Sequence, residues 1–163
     1  MDQEILKLRK INQNDFQTWK EGFWKDIDAD EGDFKNLVKE MNQQEQEDRG
    51  YSFYAELKSD PVGVVQVFDV LRHPSHSGKI EISIFEKHQK KGLGKKAICL
   101  LENFCFEELK LKKLAAYIFP DNNASIALFS SLKYERIYSD PYAFFLKGKP
   151  VRCEVYIKLN PLS

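Results

Sequence analysis

The segment EKHQKKGLGKKAI, residues 86–98, places five lysines around Gly92 and Gly94. The chain as a whole is balanced, because its 163 residues include 25 basic and 25 acidic side chains and its formal net charge is zero. A neutral chain argues against a general nucleic-acid-binding protein, whose domains are normally basic. Positive charge gathered in one short segment instead predicts a local partner, namely a small anion.

The patterns on either side of this segment predict a strand before it and a helix after it. KIEISIF (79–85) alternates as a strand does, with its three isoleucines sharing one face. Apolar residues at helical spacing predict a helix from 92 to about 109, and KLAAYIF predicts a further strand at 113–119. A strand–helix–strand crossover makes those two strands parallel neighbours in one sheet.

The remaining patterns predict an α/β protein built around one mixed sheet, with helices on both faces. Residues 1–163 are expected to form a single domain, since a chain of this length can bury one core. The order of elements is β-α-α-β-β-β-α-β-α-β-β. The other predicted elements are strands at 4–11, 51–57 and 62–70, helices at 14–24, 33–48 and 124–132, and two C-terminal strands joined at KGKP (147–150).

Several classes of protein are not favoured by the sequence. No apolar run approaches the ~18–20 residues that a membrane span requires, and the N-terminus MDQEILKLRK lacks the apolar region of a signal peptide. We therefore expect a cytoplasmic protein. Its three cysteines have no metal-ligand spacing, and the two histidines of HPSH (73–76) have no third ligand nearby, so we expect no metal site.

A helix that begins at glycines can bind a phosphate, because its first backbone amides are free and no Cβ obstructs them. Pyrophosphate, supported by the lysines, is the anion that fits best. The Walker spacing G-x-x-x-x-G-K-[ST] is absent. The dinucleotide pattern G-x-G-x-x-[GA] is present as Gly92, Gly94 and Ala97, but six residues (86–91) separate it from the preceding strand. In dinucleotide-binding folds the strand runs almost directly into the first glycine.

QKKGLG (89–94) matches the Q/R-x-x-G-x-G/A signature of the GNAT acetyltransferase superfamily, and the chain resembles that family over nearly its whole length. NNASIALFSSLKYERI (122–137) is similar to the family segment N-x-x-A-I-x-L-Y-x-x-x-G-F, and the C-terminus is similar to that of ribosomal-protein N-terminal and spermidine acetyltransferases. The resemblance implies the acyl-CoA N-acyltransferase fold, a mostly antiparallel mixed sheet with splayed parallel central strands. It also implies direct transfer of acetyl from acetyl-CoA to a primary amine in a ternary complex.

The resemblance further implies which residues contact the cofactor. Pantetheine is expected to hydrogen-bond to the strand edge formed by Ile82, Ser83 and Ile84, where a strand amide would also polarise the thioester carbonyl. Asn122 matches the family asparagine that reaches the cofactor arm, with Asn123 leaving the register open by one residue. The pyrophosphate is expected to bind the backbone amides of the loop residues Gln89, Lys90, Lys91, Gly92, Leu93, Gly94 and Lys95.

Acetyl transfer to an amine requires a base, and Glu81 is the candidate. We expect its strand position at the cleft to bury it in part, which would strengthen it as a base. The family glutamate falls two residues earlier, at Lys79, and a solvated strand glutamate remains the alternative. The family tyrosine that acts as the general acid corresponds to Phe129, whose side chain has no acidic proton to donate. Tyr134 is the nearest replacement, with a packing role as its alternative.

The acceptor side of the site is less defined by sequence. DIDADEGD (26–33) carries five carboxylates that would attract a small cationic amine such as a polyamine or an aminoglycoside, although a solvated acidic turn is the commoner explanation of such a cluster. A protein N-terminus is the second candidate acceptor. Two rival functions stay open: a catalytically silent acyl-CoA-binding or regulatory domain, motivated by Phe129, and a nicotinamide-dinucleotide-binding protein. The C-terminal strands are a candidate surface for a homodimer.

Overall fold

The computed structural model describes residues 5–162, and its elements follow the predicted order. The first residue of the predicted strand 4–11 lies outside the described part. The strands are β1 (Leu6–Lys10), β2 (Tyr51–Leu57), β3 (Asp60–Leu71), β4 (Ser77–Ile84), β5 (Lys113–Ile118), β6 (Glu135–Leu146) and β7 (Lys149–Leu159). The helices are α1 (Phe16–Phe23), α2 (Glu31–Gln46), α3 (Leu93–Asn103) and α4 (Asn123–Ser131), with 3₁₀ turns at Gln13–Asp15 and Glu86–His88.

The strands form one sheet in the order β1-β2-β3-β4-β5-β7-β6. β4 and β5 pair in parallel, and the other neighbouring pairs in residues 5–162 are antiparallel. The structure therefore confirms the predicted fold class. It also confirms that the crossover through α3 makes β4 and β5 neighbours.

Helices cover both faces of the sheet, because each face buries its own apolar cluster. The cluster beneath α3 and α4 includes Ile80 of β4, Ile98 of α3 and Phe129 of α4. The opposite cluster joins Trp19 of α1 and Phe34 of α2 to the sheet, so these aromatic residues are core. Among the described helices, none combines the length and the apolar character needed to cross a membrane.

Several helix boundaries differ from the sequence prediction, and two of them have a clear local reason. α2 begins at Glu31 because Asp30 forms a capping box: its carboxylate accepts from the Asp33 amide at 3.0 Å, and the Asp33 carboxylate accepts from the Asp30 amide at 2.9 Å. The predicted helix 92–109 changes form after Asn103, where residues 104–108 continue as a π-helical turn. This turn carries Cys105 and Phe106 into the core.

The end of α4 carries a strained lysine. Lys133 adopts φ +70°, and the Tyr134 amide donates to the Phe129 carbonyl at 3.0 Å. Glycine is favoured at such a left-handed helix end, because a Cβ is strained there. The left-handed conformation costs a residue with a Cβ about 1–2 kcal/mol, and the extra entropy of glycine in the unfolded chain offsets about 0.5–1 kcal/mol of that. We therefore expect Lys133→Gly to raise the free energy of unfolding by about 0.5–1 kcal/mol in urea denaturation. Lys39→Gly, inside α2, should lower it by about 1 kcal/mol; a loss of stability in Lys133→Gly would contradict the assigned strain.

Candidate active site

The parallel strands β4 and β5 pair only at their N-terminal ends. Their register matches Ser77 to Lys113, Gly78 to Leu114 and Lys79 to Ala115, and no further pair follows within the described residues. β4 nevertheless continues to Ile84 and β5 to Ile118. The backbone edge of residues 80–84 that faces β5 is therefore unpaired. We call this opening between residues 80–84 and 116–118 the slot.

Free backbone amides lie at the start of α3. Within residues 5–162, the amides of Lys90, Lys91 and Gly92 donate no hydrogen bond, and no side chain caps the helix. The first amides of any α-helix also lack intrahelical partners. α2 and α4, by contrast, are capped by Asp30 and Asn122. The start of α3 thus exposes a row of donors that no group of the described chain satisfies.

The glycines keep this row open. Gly92 adopts φ +73°, and a Cβ built on it would meet nothing within 4 Å. A Cβ on Gly94 would lie 3.5 Å from Leu128 Cδ2 and 3.8 Å from Ile82 Cδ1. The first turn of α3 therefore lies against both β4 and α4, at the slot. Leu93 between them has a buried side chain, so it can offer a ligand only its backbone.

Gln89 has a different place from the one predicted. Its amide already donates to the Glu86 carbonyl at 3.2 Å, so it is not a free donor for phosphate as the sequence suggested. Its side-chain Nε2 donates to the Ile84 carbonyl at 3.0 Å, which ties the loop to the end of β4. Gln89 therefore positions the loop, and the free amides begin at Lys90.

The lysines of the loop give this region its charge. All five are exposed, and none forms an ion pair within the described residues. Their charge therefore adds to that of the helix N-terminus without local neutralisation. These lysines are Lys87, Lys90, Lys91, Lys95 and Lys96.

On the face of the sheet opposite α3 and α4, a cavity of about 620 Å³ lies beside the slot. We call it the acceptor cavity; its lining includes Lys79, Lys113, Tyr117 and Tyr138. The hydroxyls of Tyr117 and Tyr138 lie 3.2 Å apart. Lys79 Nζ lies 4.7 Å from the centre of the Tyr117 ring and 2.9 Å from an oxygen of Asp69. The slot therefore lies between the free amides on one face of the sheet and the acceptor cavity on the other.

Glu81 and Tyr117 flank the slot. Lys79 pairs with Ala115, so the next residues on the same face are Glu81 on β4 and Tyr117 on β5. Glu81 is exposed, and its Oε2 accepts a hydrogen bond from Gln66 at 2.7 Å. The partial burial expected for Glu81 is therefore not found. Its carboxylate is accessible instead.

Tyr117 is a residue that sequence reasoning missed. Burial, followed by the hydrogen bond to Tyr138, raises the pKa of Tyr117, so its phenol keeps its proton at neutral pH. The signal was available: in KLAAYIF, the period of two places Tyr117 on the face of Lys113 and Ala115, away from the core residues between them.

Tyr134 occupies a different environment. Its side chain is 3% exposed, its ring packs edge-on against Phe129, and its Oη is buried without a hydrogen-bond partner in residues 5–162. Burial, with Glu102 and Cys105 nearby, raises the pKa of Tyr134. A proton donor must reach the leaving group, and this oxygen has no accessible surface. The structure therefore gives Tyr134 a packing role, and its prediction as the acid is corrected.

Asn122 lies at the N-cap of α4. Its side-chain oxygen accepts from the Ser125 amide at 3.2 Å, and Asn123 is the first helical residue. The side-chain nitrogen of Asn122 remains available to a ligand.

The acidic segment 26–33 lies apart from the acceptor cavity. Asp30 and Asp33 form the capping box of α2. Asp26 lines a separate cavity of about 470 Å³, next to Phe85 at the C-terminal end of β4. The acceptor cavity lies at the N-terminal end of the same strand.

The fold is shared with solved acetyltransferases. RimJ of Mycobacterium smegmatis, in complex with CoA-disulfide, superposes with a TM-score of 0.88 over 96% of this chain and 82% of that chain, at 15% identity. The dodecameric spermidine N-acetyltransferase of Vibrio cholerae gives a TM-score of 0.77 over 95% and 94% of the two chains, at 19% identity. Similarity at this level of identity establishes the fold and does not define a substrate.

Sequence comparison points to the same family. A probable N-acetyltransferase of Bacillus subtilis, YjcK, is 25% identical over 136 residues, which cover 82% of this chain and 75% of the relative. The family model described as the acetyltransferase (GNAT) domain matches residues 3–135. Because that match spans well over half of the sequence, the protein belongs to the GNAT family of acetyltransferases.

Proposed function

We propose that the protein transfers an acetyl group from acetyl-CoA directly to a primary amine while both are bound. The observation that carries this proposal is the slot, with free amides on one face of the sheet and the acceptor cavity on the other. A thioester and an amine that enter from opposite faces would meet there, which supplies the proximity that a two-substrate reaction needs.

The chain offers donors for the pyrophosphate and for the pantetheine arm of CoA. The free amides from Lys90 to Lys95, with the lysines around them, would hold the pyrophosphate. The unpaired edge at Ile82, Ser83 and Ile84 would hydrogen-bond the pantetheine arm, and the side-chain nitrogen of Asn122 would bind the same arm. Acetyl-CoA supplies the activated acetyl group; the chain binds and orients it.

Glu81 and Tyr117 are proposed to move the protons. As the new C–N bond forms and the C–S bond breaks, the Glu81 carboxylate accepts a proton from the amine. The leaving sulfur takes a proton from the Tyr117 hydroxyl, which Tyr138 or solvent then restores. Since an ordinary thiol has a pKa of about 8.5, the leaving group needs little help. Loss of the family tyrosine at Phe129 is therefore compatible with turnover.

Tyr117→Phe should lower kcat by about tenfold, below the usual range for a general acid because the thiolate is a good leaving group. The KM for acetyl-CoA should not change, since the ring remains. Tyr138→Phe, the matched control, keeps the Tyr117 hydroxyl and should have a smaller effect. Steady-state kinetics of thiol release measures both; wild-type kcat in Tyr117→Phe at every pH would remove Tyr117 from the reaction.

The acceptor is proposed to be a protein N-terminus or another small primary amine. A polyamine or aminoglycoside was suggested by segment 26–33, which does not line the acceptor cavity. The alternative function, a silent acyl-CoA-binding or regulatory domain, is favoured by one observation, the phenylalanine at position 129.

Two measurements on the wild-type chain separate these functions. Acetyl-CoA at ~100 times its Kd should add ~2.7 kcal/mol of stability in a thermal melt, and NAD should add none. Thiol release should then occur with at least one member of a panel of amines and peptides. Binding without any turnover would favour the silent domain, and stabilisation by NAD alone would contradict the proposed function.

A further inference from the structure

We propose that the acceptor carries a carboxylate about 7 Å from its amine, and that Lys79 and Lys113 bind this carboxylate in the acceptor cavity. This inference rests on the proposed function, because it specifies the substrate class of the same site. Two kinds of acceptor combine an amine with a carboxylate in this way: a free ω-amino acid, and a peptide with an acidic side chain near its N-terminus.

The charge of the acceptor cavity supports an anionic group. Among residues 5–162, four charged side chains line it, and Asp69 is the one acid of the four. Asp69 is already paired with Lys79, and Arg49 is paired with Glu47, which is outside the lining. Lys113 forms no ion pair within the described residues. The lining therefore carries an excess of positive charge, which favours a negative ligand.

Lys79 is held in place beside the slot. Its ammonium lies over the Tyr117 ring at 4.7 Å and next to Asp69 at 2.9 Å. Its side chain is 35% exposed, so part of its field acts through protein and is screened less than that of a free surface lysine. The stem of Lys79 thus fixes the Lys79–Asp69 pair at the point where β4 and β5 part. Lys113 adds the positive charge that no acid of the described chain neutralises.

The spacing along β4 defines the ligand further. Lys79 and Glu81 are two residues apart on one face of the strand, which separates their Cα atoms by about 7 Å. An amine at Glu81 therefore places a carboxylate at Lys79 when the two groups are separated by a similar distance. A diamine of the same length would place its second ammonium in the same lining, where Asp69 offsets only one of Lys79 and Lys113, and the remaining positive charge repels it.

The test uses three amines of matched length and two peptides. The amines are δ-aminovalerate, pentylamine and cadaverine, which differ in the charge at the far end. The peptides are amidated and differ only in an aspartate or a lysine at the second position. Each is assayed with the wild type, Lys79→Glu and Lys113→Glu. Lys39→Glu, an exposed position on α2 outside the cavity, is the matched charge control.

Wild-type kcat/KM should be at least about tenfold higher for δ-aminovalerate than for cadaverine, and the aspartate peptide should exceed the lysine peptide. A larger difference in kcat/KM between the two amines identifies a free ω-amino acid as the acceptor, and a larger difference between the two peptides identifies a peptide. Lys79→Glu and Lys113→Glu should reverse the order, and Lys39→Glu should preserve it. Lys113→Glu keeps the test decisive if Lys79→Glu fails to fold beside Asp69.

Equal rates for all acceptors, a preference for cadaverine, or equal losses for every acceptor in Lys79→Glu would overturn the inference. The affinity of the same acceptors is also measured by NMR titration with CoA present. An absence of turnover would contradict the proposed function, while the order of affinities would still decide the inference: a carboxylate preference that both charge reversals abolish supports it, and uniform affinities overturn it.

Discussion

Gly94→Asp is expected to reduce the affinity for acetyl-CoA by at least about a hundredfold, or ~2.7 kcal/mol, while the chain stays folded. The new Cβ would make only ordinary contacts, 3.5 Å from Leu128 and 3.8 Å from Ile82 and Ile84. An aspartate in the first turn of a helix is also favourable. Its carboxylate would, however, accept from the free amides of α3 and repel the pyrophosphate.

Gly94→Ala is the matched control for this experiment. Its methyl group occupies the same space without the charge, so affinity should stay within a few-fold of the wild type. Isothermal titration calorimetry gives both affinities, and a thermal melt without ligand reports the fold. If Gly94→Asp bound acetyl-CoA as tightly as Gly94→Ala, the anion site would have to lie elsewhere.

Glu81→Gln is expected to lower kcat/KM by about 10²- to 10³-fold, within the range for a general base. The amide has the shape of the carboxylate but cannot accept the amine proton. Affinity for acetyl-CoA should not change. As the pH approaches the pKa of free alkyl amines, about 10.4 for lysine, more of the acceptor binds in its neutral form. The difference in kcat/KM between Glu81→Gln and the wild type should then become smaller.

Glu40→Gln is a suitable control for the base, since Glu40 is exposed on α2 and lines none of the cavities described above. It should react at the wild-type rate at every pH. A Glu81→Gln deficit below about threefold, or one that stays constant with pH, would mean that solvent takes the proton and that Glu81 is a solvated strand residue.

Local signals around the slot predicted the architecture well. Alternation in KIEISIF identified β4, the glycines marked the start of α3, and the crossover rule made β5 its parallel neighbour. These inferences succeed because each depends on residues close together in sequence. The earlier start of α2 was also a local signal, since Asp30 and Asp33 have the spacing of a capping box.

The proton-transfer residues could not be assigned in the same way. The motif comparison suggested Tyr134 as the general acid because it lies near Phe129 in sequence. In the structure, however, its hydroxyl is buried at the end of α4. Tyr117 lies far from Glu81 in sequence, and only the β4–β5 register places the two beside the same slot. Likewise, segment 26–33 was linked to the acceptor by composition alone, and tertiary packing separates it from the acceptor cavity.

The binding of the CoA diphosphate at the start of α3 is tested most directly by an NMR titration of the ¹⁵N-labelled protein with CoA. If backbone amides at the beginning of α3 bind the diphosphate, the amide resonances of residues 90–95 will show the largest shifts. The resonance of Gln89 will shift less, because its amide already donates a hydrogen bond to the Glu86 carbonyl. Largest shifts elsewhere, with residues 90–95 unchanged at saturation, would contradict the account.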